Sequence, residues 1–345
     1  MARIQELGAT NDGLSKDLSR SFQSAHINFL IGSGASHPAI PLAGEVERQI
    51  EALQDAGDLE EAALRICNLL RSVQEPTNRL VNGVPNATET ATLGAYQTFV
   101  RALQTILTER RTTILPRQAT IFTTNYDIFI ERAARSCATI ALATGFDGAP
   151  PTDEFAEYSS GRFFLTTYDT GNLYDYRVEL ASLNLVKLHG CVSWQKDTDR
   201  ILRRTAYYMV PVDPIDAAAR DAFIARYAVI LPQASKFHRT VLDRTYYELL
   251  RLYANVLDRA NVLLIAFGFS FCDEHILHIT RRALKNPTLR LVIFAHDAAA
   301  RDSYAASFDA HNNVLVVAPA NGEHIDFARF NAVMAESVPT AEPKR

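Results

Sequence analysis

Three short segments of the chain carry groups that could act on a phosphate or a sugar. They read GSGAS at residues 32–36, TTNYD at 123–127 and HG at 189–190. Glycines let the backbone turn tightly and approach a diphosphate, whose charge free N–H groups and a following helix N-terminus would stabilise. An amide and an imidazole can orient a hydroxyl or a water and accept its proton. Together these groups suit recognition of a nucleotide.

Each segment can also be explained by a structural role alone, without a ligand. The glycine segment is an incomplete dinucleotide fingerprint, since His37 stands where GxGxxG requires glycine, and it lacks the Gly-Lys-Ser/Thr of a P-loop. It could therefore be a tight strand-to-helix turn that is needed only for packing. Thr124 or Asn125 could cap the helix that follows, and a single histidine after a strand is more often structural than catalytic.

The elements that must position these segments are predicted to be buried parallel strands. Six short apolar runs have the right length: Ile27–Ile31, Ala119–Thr123, Leu185–Leu188, Val262–Phe267, Leu291–Ala295 and Val314–Val317. Helix-like sequence follows most of them, which predicts an α/β fold with a Rossmann-like parallel six-stranded sheet and helices on both faces. The three segments, and a further glycine turn at Gly268–Ser270, would then meet at the carboxyl edge, where such sheets bind ligands.

The first three strands are too far apart in the chain for simple crossovers. We therefore expect one domain over residues 25–335 that carries a helical insertion subdomain. The insertions are expected at about 45–115, 140–183 and 195–240. Residues 1–24 and 336–345 are predicted to be terminal tails.

Local patterns predict further features. The polar stretches Pro76–Thr92 and Gly145–Gly161 are expected to be loops. Apolar residues recur every three to four positions in Val241–Ala260, which predicts a helix with Thr240 as its N-cap. His275 and His278 have a spacing that can ligate a metal, but a solvated helix start explains them as well, and we favour it.

The composition argues against several classes of protein. With 35 Lys and Arg against 39 Asp and Glu, the formal charge of −4 gives no general attraction to nucleic acid or anionic lipid. The four cysteines form no CxxC pair, so neither a zinc ribbon nor a disulfide framework is expected. No apolar run approaches the roughly 20 residues of a membrane span, and no secretory signal is present. We expect a cytoplasmic protein without direct nucleic-acid or membrane binding.

The order of the motifs resembles that of the sirtuin (silent-information-regulator) family, whose hallmarks are a GAG-x-S loop, a T-Q-N-x-D segment and an H-G pair. The turn at Gly268–Ser270 is similar to the family's later ribose-contacting turn. The resemblance implies NAD as the substrate, with Asn125 holding a water or the ribose hydroxyls and His189 accepting a proton. Asp127 would orient that pair, stabilise the positive charge that develops on the ribose, or have a purely structural role. The implied cofactor-binding residues are Gly32, Ser33, Gly34, Ala35, Ser36, Thr124, Gly268 and Ser270.

Departures from the family decide which activity is expected. Deacylating sirtuins hold a structural zinc on four cysteines after the H-G pair, and because that module is missing here we expect neither zinc nor another metal site. Leu42 stands where the family's G-I-P-D-F-R segment has the Asp that contacts nicotinamide. The sequence KLHGCVSW at 187–194 and the long insertions look like the zinc-free branch of bacterial defence proteins, whose members hydrolyse NAD.

The expected function is therefore that of an NAD glycohydrolase, which cleaves NAD to nicotinamide and ADP-ribose as an abortive-infection effector in antiphage defence. One alternative is an ADP-ribosyl or acyl-lysine transferase, and another is a non-catalytic module that senses a nucleotide. Resemblance to the defence branch also implies a homo-oligomer, and a HerA-type ATPase or an Argonaute-like protein as a partner in trans.

Overall fold

A parallel sheet of eight strands forms the centre of the protein. The computed structural model describes residues 1–8, 12–112, 114–137, 139–146, 155–171, 177–198, 200–204, 207, 209, 211–230, 244–320 and 322–338. All neighbouring strands of the sheet run parallel. In spatial order they are β1 (Arg3–Leu7), β14 (Val314–Pro319), β13 (Leu289–Phe294), β12 (Val262–Phe267), β2 (His26–Ile31), β3 (Gln118–Thr123), β8 (Ser182–Lys187) and β4 (Ala141–Ala143).

The six predicted strands are all present in this sheet, and the prediction of a parallel α/β fold is confirmed. The count of six is wrong, because β1 and β4 add a strand at each edge. Strand β1 has mostly exposed, partly charged residues, and β4 has only three residues. Edge strands of this kind lack the continuous apolar run by which buried strands are recognised.

Helices cover both faces of the sheet. They are α1 (Asp12–Ser24), α2 (Ala43–Asp55), α3 (Leu59–Val81), α4 (Ala87–Thr108), α5 (Phe129–Ala134), α6 (Ala217–Arg226), α7 (Arg244–Leu257), α8 (Glu274–Ala283), α9 (Ala298–Ser307) and α10 (Phe327–Glu336). Alternate strand residues point to opposite faces, so Phe29 packs in one core with α1, α3, α4 and α10. Leu30 packs in a second core with α7, α8 and α9.

Two predictions about local structure are wrong. Within residues 1–24, predicted as a tail, residues 3–7 form β1 and residues 12–24 form α1, whose Phe22 side chain is fully buried. The stretch Pro76–Thr92, predicted as a loop, is mostly helical, since α3 continues to Val81 and α4 begins at Ala87. The chain turns only briefly between them, and Asn86 and Glu89 form a capping box at the start of α4.

The first insertion is helical as predicted, but the other two are not wholly so. They contain most of an antiparallel sheet of β5 (Phe155–Glu157), β9 (Gly190–Asp197), β10 (Arg200–Arg204) and β11 (Tyr227–Val229), besides α6. A two-stranded sheet joins β6 (Tyr168–Asp169) and β7 (Val178–Glu179). The predicted cap at Thr240 lies outside the described residues, as do residues 339–345 of the predicted C-terminal tail. The helix predicted at Val241–Ala260 is α7.

Within the described ranges, no helix has both the length and the apolar character required to cross a bilayer.

Candidate active site

The structure brings the predicted motifs to one edge of the main sheet. Ile31 is paired in register with Thr123 on one side and with Phe267 on the other, and Thr123 is paired with Lys187. The chain after each of these residues enters one of the predicted segments. Asn125 and His189 therefore each lie two residues beyond a paired position on adjacent strands.

The glycine segment packs directly against the turn after β12. Gly32 N donates to Phe267 O at 3.0 Å, and Gly34 N donates to Gly268 O at 2.9 Å. A Cβ atom on Gly32 would lie 2.3 Å from Gly268 O. Gly268 itself has a φ of +65°, and its Cβ would lie 2.6 Å from Ala35 N. The close approach of these two loops requires glycine, so packing accounts for the glycines whether or not a phosphate binds.

The N–H groups of the glycine segment are mostly occupied, contrary to the expectation of a free amide cradle. Those of Gly32, Gly34, Ala35 and Ser36 each donate to a backbone carbonyl. The segment forms a single turn at Ser33–Ala35, and the next helix begins only at Ala43. Among the described residues, the Ser33 N–H makes no hydrogen bond. A diphosphate would thus find one available amide and no helix N-terminus here.

Asn125 is the most constrained of the predicted catalytic residues. Its side chain is buried, and Nδ2 donates to Gly32 O at 3.0 Å and to Ser36 Oγ at 3.1 Å. Its Oδ1 is buried and has no hydrogen-bond partner within the described part of the chain. Because two donated bonds fix the amide, Oδ1 is held as an unsatisfied acceptor, which costs about 1–3 kcal/mol unless a ligand or water fills it.

Asp127 supports Asn125 through Ser36. Ser36 Oγ donates to Asp127 Oδ2 at 2.7 Å, and Phe129 N donates to the other carboxylate oxygen at 3.1 Å. Since the Ser36 proton is used in this way, its oxygen accepts from Asn125 and from the Tyr96 hydroxyl, which lies 2.8 Å away. Asp127 therefore anchors a buried network behind the amide of Asn125, which it reaches through Ser36.

Tyr96 links the helical insertion to this network. It lies on α4, it is fully buried, and its ring stacks on Phe129 with centroids 5.6 Å apart. Burial and the nearby Asp127 charge hold the pKa of Tyr96 well above its usual value. The hydroxyl therefore stays protonated and acts as a donor to Ser36.

Lys187 holds the backbone of the TTNYD segment in place through a hydrogen bond and an ion pair. Its Nζ donates to the carbonyl oxygen of Asp127 and lies 3.2 Å from Glu131 Oε1. Burial alone would lower the pKa of Lys187, but the neighbouring Cys191, Glu131 and Asp127 raise it overall, so the amine is charged. The result is a buried cation that fixes the strand end carrying Asn125.

His189 has a carboxylate partner of its own. Its Nε2 lies 3.1 Å from Asp273 Oδ2, and both side chains are at least nine-tenths buried. The other oxygen of Asp273 accepts from Ile276 N at 3.1 Å as the N-cap of α8. Gly190, with a φ of +81°, turns the chain directly after the histidine. Helix α8 thus holds the carboxylate that orients the imidazole.

Three of the remaining predicted residues, Ser33, Thr124 and Ser270, lie closer to solvent. Thr124 and Ser33 are half-buried, and Ser270 is exposed, with its Oγ 3.4 Å from Cys272 N. Cys191 donates its S–H to Tyr126 O at 3.1 Å, and burial raises the pKa of its thiol, which fits a structural role. Leu42 is about half exposed, at 48%.

The sequence alone does not single out three residues that support the candidate site, namely Tyr96, Lys187 and Asp273. Lys187 carried a usable signal, because a lysine at the end of an apolar strand needs a buried partner. Asp273 precedes His275 and His278 at the predicted helix start, where an acidic residue is ordinary. Tyr96 gave no signal, since an aromatic residue on the apolar face of a helix is ordinary core material.

Comparison with known proteins identifies one matching family. A family model described as SIR2-like domain matches residues 119–317, which is more than half of the chain and includes Asn125, His189 and Gly268 but not the glycine segment. No curated protein matches.

Among solved structures, one described as Sir2Tm bound to a propionylated peptide is similar. The identity is 17%, the match covers 96% of this chain and 100% of that one, and the TM-score is 0.44. A likeness of this degree supports no conclusion about function.

Proposed function

The chain belongs to the SIR2-like family, whose members use NAD, and from this premise we propose that it is an NAD glycohydrolase. The reaction would cleave the bond between nicotinamide and ribose and release nicotinamide and ADP-ribose. Positive charge develops on the ribose carbon as this bond breaks, in an oxocarbenium-like transition state. Nicotinamide leaves without needing a proton, so the site must supply orientation, charge stabilisation and a positioned water.

The observation that carries this proposal is the unsatisfied Oδ1 of Asn125. A buried acceptor that is held rigidly at the strand edge can receive a hydrogen bond from a water or from a ribose hydroxyl. The two bonds donated by Nδ2 fix its direction in advance, which is how a site avoids reorganising during the reaction. We assign Asp127 the role of a positioning residue that acts through Ser36.

His189 is the proposed proton acceptor. If Nε2 donates its hydrogen to Asp273 Oδ2, the neutral ring presents Nδ1 as an acceptor toward a ribose hydroxyl or a water. A carboxylate that orients an imidazole in this way is the arrangement of catalytic His–Asp pairs. In this proposal Asp273 is a second positioning residue.

The binding roles of the glycine loops are narrower than the family resemblance implies. Gly32, Gly34 and Gly268 would let the two loops meet, while the Ser33 amide and the Ser33 and Ser270 hydroxyls would contact phosphate and ribose. Ala35, Ser36 and Thr124 would complete this wall of the site. Because most amides are occupied, side-chain hydroxyls carry more of the phosphate contact than in a glycine-rich amide cradle.

We further propose a role for this activity in antiphage defence, where NAD depletion would stop growth of the infected cell. A constant NADase activity would harm the host, so we expect control through homo-oligomerisation or through a HerA-type ATPase or Argonaute-like partner in the cytoplasm. This part of the proposal rests on the resemblance of the motif at residues 187–194 to the defence branch.

Chromatography of NAD incubated with the purified chain tests the proposal. We expect nicotinamide and free ADP-ribose in equal amounts, with no label transferred to protein or to an added acyl-lysine peptide. Asn125→Ala and His189→Ala should each lower release by at least about 10²-fold. Asn312→Ala and His278→Ala, which change exposed residues, should leave it unchanged. Transfer of ADP-ribose to an acceptor would contradict the assignment. So would NAD binding without turnover both by the chain alone and after addition of a HerA-type ATPase or Argonaute-like partner.

A further inference from the structure

Three side chains of metal-ligating type meet at the carboxyl ends of β13 and β14, two strands that carry none of the predicted site residues. His296 and Asp297 follow β13, and His324 lies between β14 and α10. One nitrogen or oxygen atom from each lies within 4.8 Å of the others. We propose that this group, the His296 cluster, binds a divalent transition-metal ion, with Zn²⁺ as the best match.

The backbone around the cluster is already fixed. Ile325 N donates to His296 O at 2.9 Å, and His296 Nδ1 lies 3.2 Å from Ile325 O. These two contacts tie the segment after β13 to the segment that carries His324. The ligands therefore do not depend on the folding of a loose loop around the ion.

The same contact selects the form of His296 that binds a metal. When Nδ1 carries the hydrogen and donates it to Ile325 O, Nε2 is left with a lone pair. Metal-binding histidines commonly donate their other ring N–H to a backbone carbonyl in this way, which orients the ring. The structure thus supplies an outer partner for His296 as well as a ligand atom.

The two imidazoles are also aligned with each other. Their rings stack with centroids 4.8 Å apart and planes 14° from parallel. The lone pairs of an imidazole lie in the plane of the ring, so in this stacked arrangement they do not meet at one point, and one ring must turn out of the stack for both to bind one ion. His324 is exposed, so its ring can turn about the side-chain torsions and bring one nitrogen to the roughly 3.3 Å that separates ligands on a tetrahedral Zn²⁺.

Asp297 adds the third ligand and its charge. One carboxylate oxygen accepts from Ala300 N at 2.8 Å as the N-cap of α9, which holds the side chain in place. The second oxygen is the candidate ligand. Two imidazoles and one carboxylate form a set that Zn²⁺ accepts, with one coordination position left for water. By contrast, His275 and His278 on α8 belong to no such group of three among the described residues.

Titration of Zn²⁺ into metal-free protein that carries no histidine tag tests this site. We expect one ion per chain with micromolar or tighter affinity, and a tetrahedral absorption spectrum when Co²⁺ replaces Zn²⁺. His296→Gln and His324→Gln should each weaken binding at least about tenfold, since each removes a ligand. Asp297→Asn, which keeps the helix cap, should weaken it as well.

His278→Gln is the matched control, because it removes an exposed histidine elsewhere and should leave the affinity unchanged. The proposal is overturned if wild-type protein binds no Zn²⁺ at millimolar concentration. It is also overturned if the His296 and His324 variants bind Zn²⁺ as tightly as the wild type. Neither measurement depends on NAD, so the outcome is separate from that of the proposed activity.

Discussion

Truncation of Asn125 to alanine should strongly reduce NAD cleavage while it leaves the stability of the fold nearly unchanged. The change removes the hydrogen bonds that Nδ2 donates to Gly32 O and Ser36 Oγ, at 3.0 and 3.1 Å. It also removes Oδ1, a buried acceptor without a partner in the described structure. Loss of the two donated bonds destabilises the protein. Loss of Oδ1 removes the free-energy cost of an unsatisfied buried acceptor.

The two effects on stability nearly cancel. Each lost bond costs about 1 kcal/mol net, and an unsatisfied buried acceptor costs about 1–3 kcal/mol while it is present. The free energy of unfolding should therefore change by no more than about 1 kcal/mol. Catalysis should fall much further, since loss of one group that is oriented toward a developing charge typically costs about 10²- to 10³-fold in kcat.

The assay compares NAD cleavage and denaturant unfolding in the wild type, in Asn125→Ala and in a matched control. Asn331→Ala is that control, because Asn331 is also buried, donates from Nδ2 to Ala95 O at 2.9 Å and has an unpartnered Oδ1. We expect both variants to remain folded and only the first to lose turnover. Cleavage by Asn125→Ala within about threefold of wild type, or unfolding weakened by several kcal/mol, would refute the reasoning.

The remaining predictions concern the residues that hold the two catalytic groups. Tyr96→Phe removes a donor to Ser36 and should lower the free energy of unfolding by about 1 kcal/mol, measured by denaturant titration, with a smaller loss of turnover than Asn125→Ala; an unchanged stability would speak against the buried network. Lys187→Met leaves Glu131 without its cation and should lower the free energy of unfolding by about 3–5 kcal/mol. The double variant Lys187→Met with Glu131→Leu should recover much of this stability. An equal loss in both variants would exclude the ion pair as the cause. Asp273→Asn keeps the helix cap but removes the charge beside His189, so kcat should fall while KM changes little; a change confined to KM would place Asp273 in binding instead.

The sequence predicts the centre of the fold well because buried parallel strands leave a clear pattern. Val262–Phe267 is an uninterrupted apolar run, and the structure places β12 at the same residues. Strand β1 could not be found in this way, because a polar edge strand is stabilised by its pairing with β14 and not by burial of its own side chains. The helix across Pro76 was missed for a related reason, since tertiary packing of α3 outweighs the local cost of a proline.

The candidate site is predictable where its residues follow strand ends, and not where they come from elsewhere. Asn125 and His189 could be placed at one sheet edge by topology alone. Tyr96 reaches the network from α4, and no local pattern distinguishes it from the other aromatic residues of that face. The contact of Asp127 with Ser36 could not be predicted from local sequence, because the two residues are 91 positions apart in the chain.

A structure of the protein with an NAD analogue whose nicotinamide–ribose bond cannot be cleaved tests the central claim most directly. The account predicts that the nicotinamide ribose, or a water beside its reacting carbon, accepts or donates hydrogen bonds with both Asn125 Oδ1 and His189 Nδ1. An analogue bound away from this sheet edge, or a ribose that contacts one of these two groups while the other faces a separate compartment, would contradict it.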